Sequence, residues 1–174
     1  MTRRWIGPVI VALLVAMASY YLALVATPRV LMAGAMRRIG NDAQVNHMVQ
    51  VPLANAESRT VVRPSPDLAY SACAFDLSAG PLRLDVPVIP AVYWSLSAFD
   101  ARTNNAFVRN NREAGNAPMS VVLALPGQPV PKGVETVRLD TAKGIALVRI
   151  LVADRAEFPA IDAARHRSSC KTLN

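Results

Sequence analysis

Residues Trp5 to Pro28 carry no charged side chain, and the run begins directly behind Arg3 and Arg4. This feature fixes where the rest of the chain must work. Twenty-four such residues, rich in Val, Ala, Leu and Ile, span a hydrocarbon core of about 30 Å when wound as a helix. A cleavable signal peptide has a shorter apolar stretch, about 7–15 residues, and a small-residue cleavage site. Here the exit reads Leu24-Val25-Ala26-Thr27-Pro28, with bulky Leu24 where a small residue is expected. A retained anchor is favoured. A buried core helix fits poorly, because no polar face repeats between Ile6 and Val25.

Basic residues near each end bear on orientation. Arg3 and Arg4 favour a cytoplasmic N-terminus, while Arg29, Arg37 and Arg38 argue the other way. Long domains cross largely regardless of charge, so a short N-terminal flank ahead of a long C-terminal domain favours the signal-anchor arrangement. Trp5 sits near one interface and Tyr20 and Tyr21 near the other, as amphipathic rings prefer. The expectation is a single-pass protein of a bacterial inner membrane, with residues 29–174 in the periplasm.

The net charge of +7 becomes +5 once Arg3 and Arg4 are set aside. Such a balance suits an ordinary solvated surface or one lying against anionic headgroups. Nucleic-acid binding is disfavoured, since the basic residues are scattered and form no stripe. Cys73 and Cys170 are the only cysteines, an even number in an oxidising compartment. A pair would tie the C-terminal tail to the body; the alternative is two unrelated thiols, with Cys73 simply packed in an apolar strand.

Thr27-Pro28 reads as the N-cap and first residue of a helical turn, and Gly40 as its end. Residues 30–39 are thus a continuation of the anchor or a short juxtamembrane helix, and 41–58 are irregular. From Thr60 the pattern turns to β: Thr60–Arg63, Tyr70–Leu77, Leu82–Val86, Tyr93–Asp100, Ala106–Asn110, Ser120–Leu125, Glu135–Leu139 and Ile145–Val152. Leu82, Leu84 and Val86 alternate with Arg83 and Asp85, the period of a half-buried strand. Pro, Gly and Asn clusters separate these runs, as in an antiparallel sandwich or barrel. Glu157–Arg165 reads as a short helix before a basic tail. The expected organisation is a transmembrane helix over 1–28, a juxtamembrane helix and linker over 29–58, a β domain over 59–155, and a helix and tail over 156–174.

The residues able to carry chemistry are few. Arg63, Asp67 and Tyr70 put a guanidinium, a carboxylate and a phenol near one turn, where they can line a polar pocket. Turn chemistry accounts for the same residue types: Asp67 after Pro66 suits an Asx-turn, with Arg63 paired to it. Asp100 with Thr103-Asn104-Asn105 has the same two readings. His47 stands alone in an irregular segment, and His166 lies in the basic tail. Two histidines so far apart supply no metal-ligand spacing. Ser71, His47 and Asp67 form a triad on paper only, without a nucleophile elbow. No catalytic residue, metal or cofactor is expected.

Residues 61–115 resemble an uncharacterised bacterial envelope family labelled domain of unknown function 1254. The motifs are Val62-Arg63-Pro64-Ser65-Pro66-Asp67 with Tyr70-Ser71, then Asp76-Leu77-Ser78 with Gly80-Pro81, Val86-Pro87, Tyr93-Trp94, Asp100, Thr103-Asn104-Asn105, and Arg112 with Gly115. Asn46-His47 looks like that family's upstream Asn/His element. Family members commonly carry Asn-Pro-Asp-Thr-Leu-Tyr where this chain has Ser65-Pro66-Asp67-Leu68-Ala69-Tyr70. The resemblance implies a jelly-roll-like β fold in a short, single-span member. Larger relatives fuse a second β domain, so it also implies a second envelope protein with a related β domain as partner. A non-enzymatic anchored domain acting through that partner is the leading expectation. The rival is a small-molecule binding protein or enzyme around Asp67, Tyr70 and Arg63.

Overall fold

A computed structural model describes residues 3–40, 45–55, 58 and 64–173; the expected strand Thr60–Arg63 lies outside them. The apolar run forms one helix, α1 (Arg3–Gly40). At 38 residues and 1.5 Å per residue it is about 57 Å long, well beyond a hydrocarbon core. Its most apolar window is unburied, and no other helix among the described residues is long and apolar enough to cross a membrane.

The helix does not restart at Pro28, so the continuation is the alternative that folds. Proline removes an N–H, leaving the Leu24 carbonyl without its donor. The side chains beside it bond the two flanking carbonyls, not that of Leu24. Thr27 Oγ1 donates to the Ala23 carbonyl at 2.7 Å and the Arg29 guanidinium to the Val25 carbonyl at 2.6 Å.

The last turns of α1 then change character. Met32 and Gly40 are buried and Ala35, Met36 and Ile39 half-buried, the i, i+3, i+4, i+7, i+8 stripe of a helix docked on one face. The surface beneath it belongs to β2 (Leu68–Asp76), part of a five-stranded sheet in the order β1-β2-β8-β4-β5. Its other strands are β1 (Val49–Val51), β4 (Trp94–Asp100), β5 (Asn105–Asn110) and β8 (Lys143–Leu151). All four pairings in it are antiparallel, and β2 and β8 match along nine residues from Leu68↔Leu151 to Asp76↔Lys143. Ala69, Cys73 and Phe75 point into the core. Ala72 and Ala74 point the other way, yet they are as fully buried, because α1 covers that face; a side chain on Gly40 would touch Ala74.

A second sheet, in the order β7-β6-β3-β9, closes the core from the other side. It comprises β3 (Leu82–Val86), β6 (Met119–Ala124), β7 (Glu135–Arg138) and β9 (Ser169–Thr172). This sheet is mixed: β3 pairs antiparallel with β6 and β9, and β7 runs parallel to β6. The connection between them is held by Gln128, which accepts from Leu125 N and donates to the Leu77 carbonyl, and by Arg138 on the Leu125 and Gln128 carbonyls. The expected basic tail is also a strand, since β9 pairs with β3 from Leu82↔Thr172 to Asp85↔Ser169. Before it, α2 (Phe158–Arg165) buries Ile161 and Ala164 in the shared core. One covalent link joins the two sheets: Cys73 of β2 is bonded to Cys170 of β9, with Cα atoms 6.5 Å apart.

An apolar cleft at the foot of the helix

Where α1 stands off from the first sheet, the two walls enclose a cleft of about 750 Å³, a volume typical of small-molecule sites. Leu31, Met32, Ala35 and Ile39 form the helix wall, and Ala72, Ile145, Leu147 and Phe99 the sheet wall. Residues 49–52, Ser58 and Pro64 border it from the side, and Tyr70, Gln50, Arg38 and Thr103 contribute its polar groups. The apolar character follows from strand parity: Ile145 and Leu147 alternate with Ala146 and Val148, which face the core.

Thr103 marks the cleft in a second way. Its φ of 67° lies in the left-handed region, uncommon for a β-branched residue and held only where surroundings enforce it. Asp100 does the enforcing. Its Oδ1 accepts from the amides of Arg102 and Asn104 at 2.8 and 2.9 Å, and its Oδ2 from Asn104 Nδ2 at 3.0 Å. Thr103 N donates to the Asp100 carbonyl. Asp100 and Asn104 are therefore each other's partners in a closed turn that aims Thr103 at the cleft.

Burial alone would raise the Asp100 pKa, but the hydrogen bonds from Asn104 and Arg102 and the Arg102 charge hold it below its ordinary value. Asp76 is shifted the same way: burial opposes, and Ser78 and Lys143 outweigh it. A depressed carboxylate contributes stability that is complete above the unfolded-state pKa and lost as pH falls through the folded one. Urea midpoints of the full chain in detergent should thus be flat near neutrality and fall below about pH 4. Asp100→Asn should lower the neutral midpoint by about 1–2 kcal/mol and shrink the acid-induced fall. An unchanged acid limb in the variant would show that this turn does not report on folding.

The remaining polar residues singled out by the sequence are dispersed. Tyr70 lines the cleft, and its hydroxyl accepts from Ser65 N at 3.3 Å. Asp67 is exposed in the preceding turn, and its carboxylate makes no hydrogen bond or ion pair among the described residues. Arg63 lies outside the described residues. His47 is exposed, its Nδ1 3.1 Å from the Val45 carbonyl. The Ser71 hydroxyl, on the core side of β2, is buried with no hydrogen-bond partner among the described residues. Among the described residues no group of three His, Cys, Asp or Glu is placed to hold a metal ion.

Several residues that organise this region have no role legible in the sequence, Asn46 entering there only as part of the Asn46-His47 motif. Asn46, at a φ of 64°, exchanges hydrogen bonds with both backbone groups of Asp76 and donates to Thr172 Oγ1. It pins the segment that follows the helix to the ends of β2 and β9. Buried Arg165 reaches from α2 to the Val51 and Tyr70 carbonyls at 2.9 and 2.6 Å. Arg149 lies on the outer face of the first sheet. The alternation of β8 was the available signal for Arg149, since Val148 and Ile150 read as core.

The two-sheet core, the docked helix and the short C-terminal helix define a β-rich domain on a candidate membrane anchor. The chain belongs to the family described as "Protein of unknown function (DUF1254)", whose model matches residues 45–172. Two solved structures share the fold. The VPA0106 protein of Vibrio parahaemolyticus is 19% identical with a TM-score of 0.64, over 87% of this chain and 38% of that one. An uncharacterised protein of Burkholderia cenocepacia is 16% identical with a TM-score of 0.50, over 90% of this chain and 42% of that one. This chain thus spans about two fifths of the solved chains it matches. No curated protein matches it in sequence.

Proposed function

We propose that the chain is a membrane-anchored binding domain of the bacterial envelope that holds an apolar ligand in the cleft beside its anchor. The observation that carries this reading is a shared wall. The same helix supplies the candidate membrane span and, a few turns later, one side of the cleft. An acyl chain leaving the bilayer along α1 would meet apolar side chains, each buried methylene contributing about 0.8 kcal/mol. The domain is placed on the periplasmic side, a reading supported by the Cys73–Cys170 bond, since such links persist in oxidising compartments. No catalytic role is assigned.

Mass spectrometry of small molecules retained by the full chain through extensive detergent washing tests the cleft. Acyl-chain compounds should be retained, and filling the cavity with Leu147→Trp or, from the helix wall, Ala35→Phe should reduce them roughly tenfold. Equal retention by folded variants, or an empty wild-type protein, would sink the reading.

A second reading concerns a partner: this fold recurs as about two fifths of two larger solved chains, where further chain accompanies it, and a protein carrying a related β domain is a fitting partner. Crosslinking in intact cells that recovers such a protein reproducibly would support it; recovery of this chain alone would count against it.

A further inference from the structure

The outer face of the first sheet carries one charge that the fold does not explain. Arg149 stands on β8 directly opposite Tyr70 of β2 and Ser95 of β4. It shares its face with Leu147, two residues earlier, which lines the cleft. Its neighbours on that face are otherwise apolar or hydroxylic: Tyr70, Ser95 and Ser97. The guanidinium is half-buried and, among the described residues, makes one hydrogen bond, from Nη2 to Ser97 Oγ at 3.2 Å. Its Nε is buried and has no partner among those residues. Among the described residues no carboxylate pairs with Arg149, whereas four Arg or Lys side chains pair with carboxylates.

A guanidinium offers five N–H donors and stays protonated. Desolvating part of it with no counter-charge and a single hydrogen bond is unfavourable. A buried group left unsatisfied in a native structure calls for an explanation. Here the chemistry is specific: an anion with two oxygens matches the planar fork, and the cleft beside it accepts an apolar chain.

We infer that Arg149, just beyond the cleft lining on the sheet face that carries Leu147, is the anion-binding group, and that the occupant is an acidic single-chain amphiphile drawn from the membrane. This inference rests on the cleft reading above and names its ligand class. The chain lies between α1 and the sheet and its acidic group reaches Arg149 past Tyr70, which lines the cleft and pairs with Arg149 across the strands.

The test uses the full chain in nanodiscs of zwitterionic lipid and two photoreactive probes, a diazirine-bearing alkyl phosphate and the alcohol of equal length. The phosphate should label peptides of the cleft roughly tenfold more than the alcohol, the factor that corresponds to 1.4 kcal/mol. Arg149→Met should abolish that preference while alcohol labelling persists, and Arg149→Lys should restore part of it. Equal labelling of wild-type protein by both probes overturns the anion site but leaves the cleft standing. No labelling of the cleft by either probe overturns both readings. Inorganic phosphate that erases the preference while alcohol labelling continues would assign Arg149 to a soluble anion, overturning the amphiphile. The wild-type comparison decides the matter even if Arg149→Met fails to fold.

Discussion

Replacing Arg165 with methionine should destabilise the domain by about 3–4 kcal/mol, although the residue is remote from any apparent chemistry. Its side chain is only 4% exposed, and Nη2 lies 2.6 Å from Asp162 Oδ1. The same group donates to the carbonyls of Val51 and Tyr70 and lies 5.6 Å from the centre of the Phe158 ring. These contacts join α2 to the β1–β2 edge, where Val51 and Tyr70 are paired. Methionine conserves much of the volume but leaves both carbonyls without this donor, at about 1–3 kcal/mol each if they remain dry. Asp162 is itself one-third exposed, so water can solvate its orphaned charge. Asp162→Asn should therefore cost far less, about 1 kcal/mol. Urea unfolding followed through buried Trp94 gives both numbers. A midpoint for Arg165→Met equivalent to less than about 1 kcal/mol would show that α2 is held by Ile161 and Ala164 alone. Tyr70 borders the cleft, so hydrogen exchange at Val51 and Tyr70 should rise in Arg165→Met as well.

How far this architecture is legible in the sequence depends on the range of the interactions that make it. Leu82–Val86 alternates cleanly, and its boundaries coincide with β3. The helix ending at Arg165 was equally local in its signal. By contrast, β1 and β9 are three- and four-residue edge strands that exist because a longer neighbour offers a ladder, and nothing within them announces it. The direction of β7 is likewise a property of its connection, held by Gln128 and Arg138, rather than of its residues. Pro28 reads as a helix start because proline favours the first turn, whereas here one long helix runs through it. The site follows the same rule. Asp100 and Asn104 were visible as turn formers, and their turn is closed by each other. The cleft was invisible, because it joins a stripe ending at Gly40 to strand parities as far along as Leu147. Arg149 appeared only as a charge breaking the apolar run of β8.

The largest expected effect comes from a contact whose existence the sequence left open. Replacing Cys73 and Cys170 together by alanine should lower stability by about 4–5 kcal/mol in the chain-entropy account. The bond closes a loop with a sequence separation of 97, so its removal returns much conformational freedom to the unfolded chain. It also joins opposite sheets: Cys73 lies in the core face of β2, and Cys170 pairs with Leu84 of β3. Without the link, β9 is retained on its sheet by a four-residue ladder and by Asn46 on Thr172. Hydrogen exchange should accordingly accelerate most at residues 169–172 and at Asn46, and less in β2 and β8, whose ladder is intact. Dithiothreitol should reproduce the shift in the wild-type protein and leave the double variant unaffected. In cells, the proposed periplasmic placement predicts that both cysteines resist maleimide until reduction. Rapid labelling without reductant would contradict both the bond and the side of the membrane assigned to the domain. A double variant as stable as the wild type, with unchanged exchange in β9, would mean that the ladder and the buried core hold the C-terminus without the covalent tie.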